Sequence, residues 1–179
     1  MRAQEILAFW FDELRPEQWW RVDPALDAEI RRRFEATHAS ANRGELWRWR
    51  DTAQGRLAEV IVLDQFSRNM FRGTARAFAT DPQAREVTRR ALARGFDAEI
   101  APIERGFIYL PLMHSEALAD QEDCVRLYRQ LGNANSLKYA EDHRDIVQRF
   151  GHFPHRNPML GRTTSAEEQA FLDGGGFAG

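Results

Sequence analysis

The chain has 179 residues, of which 43% are hydrophobic and 29% charged, and its formal net charge is −2. This length fits one domain, and the composition is that of an ordinary globular protein rather than a disordered or fibrous chain. The weakly acidic balance lacks the basic surface that nucleic-acid binders carry, and no apolar run reaches the ~20 residues of a transmembrane helix, so we expect neither a nucleic-acid partner nor a membrane.

The N-terminus and the cysteine content favour the cytoplasm. The opening sequence MRAQEILAFWFDEL places Glu5 and Asp12 around a short apolar core and lacks the small-residue cleavage site of a signal peptide. Cys124 is the single cysteine, so an internal disulfide is impossible, which agrees with a reducing compartment. Its helical spacing with Leu127 and Leu131 predicts a core position rather than a reactive thiol.

Two amphipathic helices are predicted at the start of the chain. Apolar residues recur at three- and four-residue steps from Ile6 to Leu14, which indicates a first helix that ends before Pro16. Asp23 followed by Pro24 is typical of a helix start, and an apolar stripe continues from there toward Gly44.

The tryptophans near these helices are expected to be mostly packed, Trp19 and Trp47 among them. If such large rings were exposed, they would instead indicate an interface with a partner.

The segment from Gly55 to Gly73, GRLAEVIVLDQFSRNMFRG, changes character along its length. From Leu57 to Phe66 it has almost no polar face, which predicts a central helix surrounded by other helices. Its second half places polar side chains next to the core, and such groups must be paired or must bind a ligand. These side chains are Asp64, Gln65, Arg68, Asn69 and Arg72.

The later helices are predicted from their start signals and stripes. Pro102 opens a helix that Pro111 is expected to kink or interrupt. The long helix from about Ala134 to Phe150 carries His143 in the middle of its apolar face, so we expect His143 to be buried.

A short final helix and a tail complete the chain. Ser165 with Glu168 forms a capping box for the helix. No segment alternates with period two, and helix caps recur throughout. We therefore predict one all-α domain over residues 1–173, an array or bundle of helices, with a flexible glycine-rich tail at 174–179.

Three motifs resemble the bacterial family called domain of unknown function nine-two-four: LDQFSRNMFRGT at 63–74, LPLMHSEALADQE at 110–122 and FGHFPHRNPMLGR at 150–162. The segments ILAFWF, GELWRWRDTAQGRL and AFATDPQAR extend the resemblance over nearly the whole chain. It departs at Ser67, where the family's proline is expected after Phe66. The resemblance implies an all-helical fold similar to tetratricopeptide-like helix pairs, and it implies no activity.

Arginines and amides suggest an anion pocket, because guanidinium groups match the geometry of carboxylates and phosphates. The alternative is internal pairing, for which Asp64, Glu104, Glu116 and Asp120 are available. Both readings stay open. The predicted ligand-binding residues are Asp64, Arg68, Asn69, Arg72, His152, Arg156 and Asn157, with Arg162 as a further candidate.

Imidazoles near fixed turns suggest acid-base chemistry. A metal site would need further ligands beside His152 and His155, and the HExxH spacing is missing, so we predict neither a metal nor a cofactor. The alternative is that the histidines bind loop carbonyls, with His143 a core residue. The candidate catalytic residues are His114, Glu116, His143 and His155.

The sequence therefore leaves two functions open. One is a binding module whose polar groove takes a peptide or a small anionic ligand. The other is a small hydrolase- or transferase-like enzyme that uses the histidines and Glu116, with arginines holding an anionic substrate, although no nucleophile is evident. The sequence gives no oligomeric state.

Overall fold

The computed structural model describes residues 1–177, and each regular element within that stretch is a helix. This confirms the predicted all-α class. The chain forms two units: unit 1 comprises Met1–Arg72 and Arg76–Pro111, and unit 2 comprises Gly73–Ala75 and the chain from Leu112 onward. The single domain over 1–173 stays a prediction, as does the flexible tail at 174–179, of which residues 178 and 179 lie outside the described part.

Unit 1 contains the first half of the helices. Short 3₁₀ turns at Pro16–Trp20, Trp47–Asp51, Ala75–Phe78 and Phe96–Glu99 separate them. Its longer elements are α1 (Ala3–Leu7) with a π-helical continuation (Ala8–Glu13), α2 (Pro24–Asn42), α3 (Ala53–Val60) with a π-helical continuation (Ile61–Phe66), α4 (Ser67–Met70), α5 (Asp81–Ala93) and α6 (Pro102–Met113). The division between the units falls within α6, after Pro111.

Unit 2 contains the remaining helices. They are α7 (Leu118–Leu131), α8 (Ala134–Phe150), a 3₁₀ turn (Pro154–Arg156), α9 (Asn157–Leu160) and α10 (Ala166–Asp173). The side-chain hydroxyl of Ser165 accepts the N–H of Glu168 while the Glu168 carboxylate accepts the N–H of Ser165, which confirms the predicted capping box. No helix within residues 1–177 is both long enough and apolar enough to cross a lipid bilayer.

The sequence predicts that Pro111 kinks or interrupts α6. The interruption is wrong, because the helix continues to Met113, and the kink stays a prediction. A proline removes one backbone donor and crowds the preceding turn. In that turn the hydroxyl of Thr88 donates to the carbonyl of Ile108 at 2.9 Å. This bond reaches the carbonyl next to that of Phe107, the one whose backbone donor Pro111 removes.

The central helix is buried as the sequence predicts. Every side chain from Leu57 to Phe66 is less than 9% exposed, including the carboxylates of Glu59 and Asp64. The helix begins at Thr52, whose hydroxyl accepts the N–H of Gly55 at 3.1 Å. A Cβ on Gly55 would lie 1.9 Å from the carbonyl oxygen of Trp49, so this close approach of two backbone segments requires glycine.

Large rings fill the core of unit 1, but two tryptophans stay outside it. Phe34 stacks on Phe66 with ring centroids 4.8 Å apart. Trp19 is half-buried, whereas Trp20 and Trp47 are 64% and 58% exposed, so the expectation that Trp47 is packed is wrong. Trp47 lies in a short 3₁₀ turn, where the guanidinium of Arg48 covers its ring at 5.1 Å. Trp47 thus packs against a cation at the surface instead of against the core. The spacing of apolar residues in the sequence does not predict such a contact.

Candidate functional site

The polar end of the central helix forms a closed ionic cluster in unit 1. Arg68 donates to both carboxylate oxygens of Asp81, at 2.9 and 3.1 Å, and lies 3.1 Å from a carboxylate oxygen of Asp64. Both aspartates are buried, and the Arg68 side chain is 19% exposed. Burial acts to lower the pKa of Arg68, but the two carboxylates outweigh it and raise this pKa above its ordinary value.

Asn69 and Arg72 bind one carboxylate on α2. The amide of Asn69 donates to Asp27 at 2.7 Å, and Arg72 donates to both Asp27 oxygens at 2.7 and 3.0 Å. These contacts fasten α4 to α2. Together with the Arg68 cluster they support the internal-pairing alternative for the arginines of this segment.

A buried hydroxyl pair adjoins the cluster at Ser67, the position where the resemblance implies proline. The hydroxyl of Thr80 lies 2.6 Å from the carbonyl oxygen of Leu63, to which it donates, and 3.1 Å from the Ser67 hydroxyl. Ser67 in turn lies 3.2 Å from Nε2 of His38. Serine therefore adds a polar link that proline cannot make. His38 was missed by sequence reasoning, although its place beside Thr37 on the α2 stripe was a signal.

In unit 2, the carboxylate of Glu116 is partly buried and accepts hydrogen bonds from two other segments of the chain. Arg162 donates to its two oxygens at 2.8 and 2.9 Å, and the N–H of Phe153 donates to one of them at 2.9 Å. Burial acts to raise the pKa of Glu116, but the hydrogen bonds from Arg162 and Phe153 outweigh it and lower the pKa. Glu116 is therefore ionised at neutral pH.

The loop between α8 and α9 is fastened by the residues predicted to bind a ligand. His152 Nε2 lies 2.5 Å from a carboxylate oxygen of Glu168, and Arg156 donates to the carbonyl of His114 at 3.0 Å. Asn157 is completely buried. The N–H of Ser165 is the largest influence lowering the pKa of Glu168, and Asn157 and His152 add to it. These contacts give the loop a fixed conformation.

His143 is buried, as its place on the apolar face of α8 predicts. It is 5% exposed, and its Nδ1 lies 2.8 Å from the carbonyl oxygen of Tyr139. Because a carbonyl only accepts, Nδ1 carries the proton and Nε2 is the acceptor. Burial, with the nearby charges of His114 and Arg156, lowers the pKa of His143 to about 4.

Two phenyl rings bring imidazoles of unit 2 together. The Phe177 ring lies 4.5 Å from His143 and 5.1 Å from His155, and the Phe153 ring lies 5.5 and 5.7 Å from the same two imidazoles. His114 is also close enough to His143 for its charge to lower the pKa of His143. The structure thus gathers three of the four candidate catalytic residues, while Glu116 is engaged by Arg162.

A groove of about 340 Å³ opens beside this imidazole cluster. Tyr139, Phe150, Phe171 and Phe177 supply aromatic surface, and His143 lies in its wall. Its charged residues are Asp142, Asp145 and Arg149, which pair with Lys138, Arg144 and Glu167. Sequence reasoning missed the two aspartates. The signal was their three- and four-residue spacing from Tyr139 and Arg149 along α8.

The chemistry that this arrangement supports is stacking and hydrogen bonding. Within residues 1–177, no group of three or more His, Cys, Asp and Glu side chains is arranged to hold a metal ion. The groove instead combines apolar ring faces, one neutral imidazole and carboxylates at its edge.

The structure is all-helical, and its second unit has a concave surface lined by aromatic side chains and by His143. The chain belongs to the family described as bacterial protein of unknown function (DUF924), whose family model matches residues 6–176. This confirms the resemblance drawn from the three motifs. The chain is similar to a solved structure, the protein of unknown function ATU0120 from Agrobacterium tumefaciens, with 42% identity and a TM-score of 0.92 over 96% of this chain and 97% of that chain.

No curated protein matches the chain. The comparisons establish the family and the helical fold. The tetratricopeptide-like arrangement stays a prediction.

Proposed function

We propose that the protein is a binding module whose groove in unit 2 takes a peptide segment carrying an aromatic side chain next to a basic one. The observation that carries this proposal is the composition of the groove, in which aromatic side chains meet the neutral imidazole of His143 and the carboxylates of Asp142 and Asp145. Ligand pockets commonly combine an apolar lining with a few placed polar groups.

The carboxylates favour a basic ligand group. Asp142 and Asp145 are paired with Lys138 and Arg144, but all of these pairs include strongly exposed side chains. Exposed ion pairs contribute roughly 0–1 kcal/mol, so a ligand cation can displace Lys138 or Arg144 at small cost. Arg149, which also lines the groove, is itself paired with Glu167.

The ring contacts favour an aromatic ligand group. Phenyl and imidazole rings in this cluster lie 4.5 to 5.7 Å apart, which is the spacing of attractive aromatic pairs. The contacts of the predicted arginines do not favour a small anionic ligand. Three of the arginines expected to bind it, Arg68, Arg72 and Arg162, are engaged by carboxylates of their own unit.

The contacts also support binding over acid-base catalysis. A catalytic base works best when its pKa lies near the working pH. With a pKa of about 4, His143 is a weak base, and Glu116 is ionised beside Arg162. The binding proposal requires no cofactor, and the cytoplasm stays the predicted compartment.

A capped dipeptide tests the proposal. We expect N-acetyl-Phe-Arg-amide to bind with a Kd on the order of 1 mM or tighter, because a dipeptide contacts only part of the groove. Amide NMR titration should show shifts clustered on α8, α10 and His143. N-acetyl-Phe-Glu-amide should bind at least about tenfold more weakly, since its carboxylate meets Asp142 and Asp145.

A matched pair of variants locates the binding. Asp145→Asn should weaken N-acetyl-Phe-Arg-amide several-fold, whereas Asp123→Asn, an exposed and ion-paired aspartate on α7 outside the groove lining, should leave the affinity unchanged. Equal binding of the two dipeptides, or full affinity in Asp145→Asn, would contradict the proposal.

A further inference from the structure

Unit 1 contains four further arginines that sequence reasoning missed, and they act on one another. They are Arg50, Arg56, Arg90 and Arg94, and we name them the Arg56 cluster. Burial lowers the pKa of Arg56 below its ordinary value, and the charges of the other three arginines lower it further, while Glu59 acts in the opposite direction. The surroundings of Arg56 thus disfavour the positive charge that its guanidinium keeps.

Arg56 is buried with more donors than acceptors. It is 6% exposed, and its Nε donates to the carbonyl of Arg50 at 3.0 Å. Its Nη1 is closed to solvent and has no hydrogen-bond partner within residues 1–177. Its Nη2 has no acceptor in that stretch either, but it stays open to solvent. A buried charged donor without an acceptor is costly, so a ligand that supplies acceptor oxygens is favoured here.

The carboxylates next to the cluster are engaged by two of its members. Arg50 donates to both oxygens of the fully buried Glu59, at 2.7 and 3.0 Å. Arg90 donates to Glu86, which lies one helical turn before it, at 2.5 Å. These two carboxylates balance the charges of Arg50 and Arg90, and they leave the other two arginines of the cluster without an ion pair.

Arg94 is the exposed arginine without a carboxylate. Within the described residues 1–177 its guanidinium makes no ion pair or hydrogen bond, and it lies over the Phe96 ring at 4.4 Å. Arg90 and Arg94 are four residues apart at the end of α5, so their side chains share one face of the helix, where like charges repel. Arg56 and Arg94 therefore supply one recessed and one exposed positive charge.

We propose that the Arg56 cluster binds a phosphate dianion, as free phosphate or as the end group of a small phosphate monoester, with Arg56 and Arg94 as its donors. Guanidinium groups match the geometry of phosphate oxygens. A phosphate group carries about −1.5 to −2 charges at pH 7, so it balances both arginines, whereas a carboxylate balances only one. This inference does not depend on the groove of unit 2.

NMR titration of the full chain with inorganic phosphate, at constant ionic strength in sodium chloride, tests the site. We expect a Kd on the order of 1 mM, as for a small ligand held by a few hydrogen bonds. The Nε–H of Arg56 is a direct reporter, because its hydrogen bond to the carbonyl of Arg50 slows its exchange with water. Its signal should shift together with the backbone amide of Arg94.

Two phosphate esters test the charge and the source of the group. Dimethyl phosphate is a monoanion, so it should bind at least about tenfold more weakly than inorganic phosphate. Methyl phosphate keeps the second charge. Equal affinity for methyl phosphate and inorganic phosphate would assign the site to a phosphate ester, and an affinity for methyl phosphate lower by about tenfold or more would assign it to free phosphate.

A matched pair of variants locates the binding. Arg94→Gln, at an exposed position, should raise the Kd for phosphate at least about fivefold by removing one donor. Arg21→Gln makes the same change in net charge at an exposed arginine that has no ion pair within residues 1–177 and lies before α2, so it should leave the Kd unchanged. Circular dichroism should show the same helix content in both variants.

Three results would overturn the proposal. One is a signal of the Arg56 Nε–H that does not move up to about 50 mM phosphate. Another is binding of dimethyl phosphate as tight as that of inorganic phosphate. The third is an equal change of affinity in Arg94→Gln and Arg21→Gln, which would show attraction by net charge rather than a site.

Discussion

The ionic cluster around Arg68 in unit 1 and the carboxylates of the groove in unit 2 differ in how far solvent reaches them. In unit 1, Asp64 and Asp81 are 1% and 5% exposed, and they enclose the guanidinium of Arg68. Along the groove of unit 2, Asp142 and Asp145 have side chains 50% and 63% exposed. The first set holds helices together, whereas the second consists of exposed ion pairs that contribute little to stability.

The histidines extend the comparison. Burial lowers the pKa of His38 in unit 1 and of His143 in unit 2. His38 is close to the buried hydroxyl of Ser67, but His143 lies in the wall of a groove. Both imidazoles are nearly closed off from solvent, with 7% exposed for His38 and 5% for His143, so what distinguishes them is the surface beside them: packed side chains for His38 and a groove for His143.

The largest expected effect is the loss of Arg68. Arg68→Ala leaves two buried carboxylates without their cation, and breaking such a pair costs about 3–5 kcal/mol. Urea denaturation should show this decrease in the free energy of unfolding. Arg32→Ala, which removes an exposed pair with Glu29, should cost less than about 0.5 kcal/mol. If Arg68→Ala lowered the free energy of unfolding by less than about 1 kcal/mol, the distinction between buried and exposed ion pairs would be contradicted.

The close packing of unit 1 can be broken at Gly55. Gly55→Ala should lower the free energy of unfolding by about 1–3 kcal/mol, because the new methyl group would overlap the carbonyl of Trp49. The helix propensity of alanine would otherwise raise stability by about 1 kcal/mol. Gln54→Ala, at the neighbouring exposed position, provides the control and should be neutral or slightly stabilising. Equal stability of the two variants would contradict the steric argument.

The sequence predicts the elements of this fold better than their partners. The apolar run from Leu57 to Phe66 is long enough to indicate burial without any knowledge of its neighbours. The partners of Asn69 and Arg72 follow from no local pattern, because Asp27 lies 42 and 45 residues away in the chain. The π-helical turn at Ile61–Phe66 was missed for a similar reason, since it depends on tertiary packing.

The site shows the same limit. Burial of His143 follows from its place on the stripe of α8, and the structure confirms it. Its low pKa comes first from burial, and the charges of His114 and Arg156, which come from other segments of unit 2, lower it further. Phe177 was assigned to a tail expected to be flexible, yet its ring packs against two imidazoles. Composition alone does not predict such a contact.

Glu116 sharpens the comparison within unit 2, because it is only partly exposed. Glu116→Gln should lower the free energy of unfolding by about 1–3 kcal/mol by weakening the hydrogen bonds from Arg162 and Phe153. The pKa of Glu116 is lowered in the folded protein, so its contribution is present above the ordinary value of 4.5 and is lost as the pH falls through the folded value.

Denaturation at pH 7 and at pH 3.5 should therefore show a smaller gap between wild type and Glu116→Gln at the lower pH. Glu122→Gln, on the exposed surface of α7, serves as the control and should match wild type at both values. A gap that does not change with pH would show that Glu116 acts through packing rather than through its charge.

His143 gives the smallest expected effect and the one closest to function. Its pKa falls from 6.5 to about 4 on folding, so between these values the unfolded chain binds a proton that the folded protein excludes. Wild-type stability should consequently fall by about 1.2 kcal/mol between pH 7 and pH 5.5 relative to His143→Gln, and His38, which shifts in the same direction, cancels in this difference. Proton NMR should show the His143 imidazole titrating near pH 4. If it titrated above pH 6, His143 would be partly charged at neutral pH, and the wall of the groove would repel the basic ligand group that the aspartates attract.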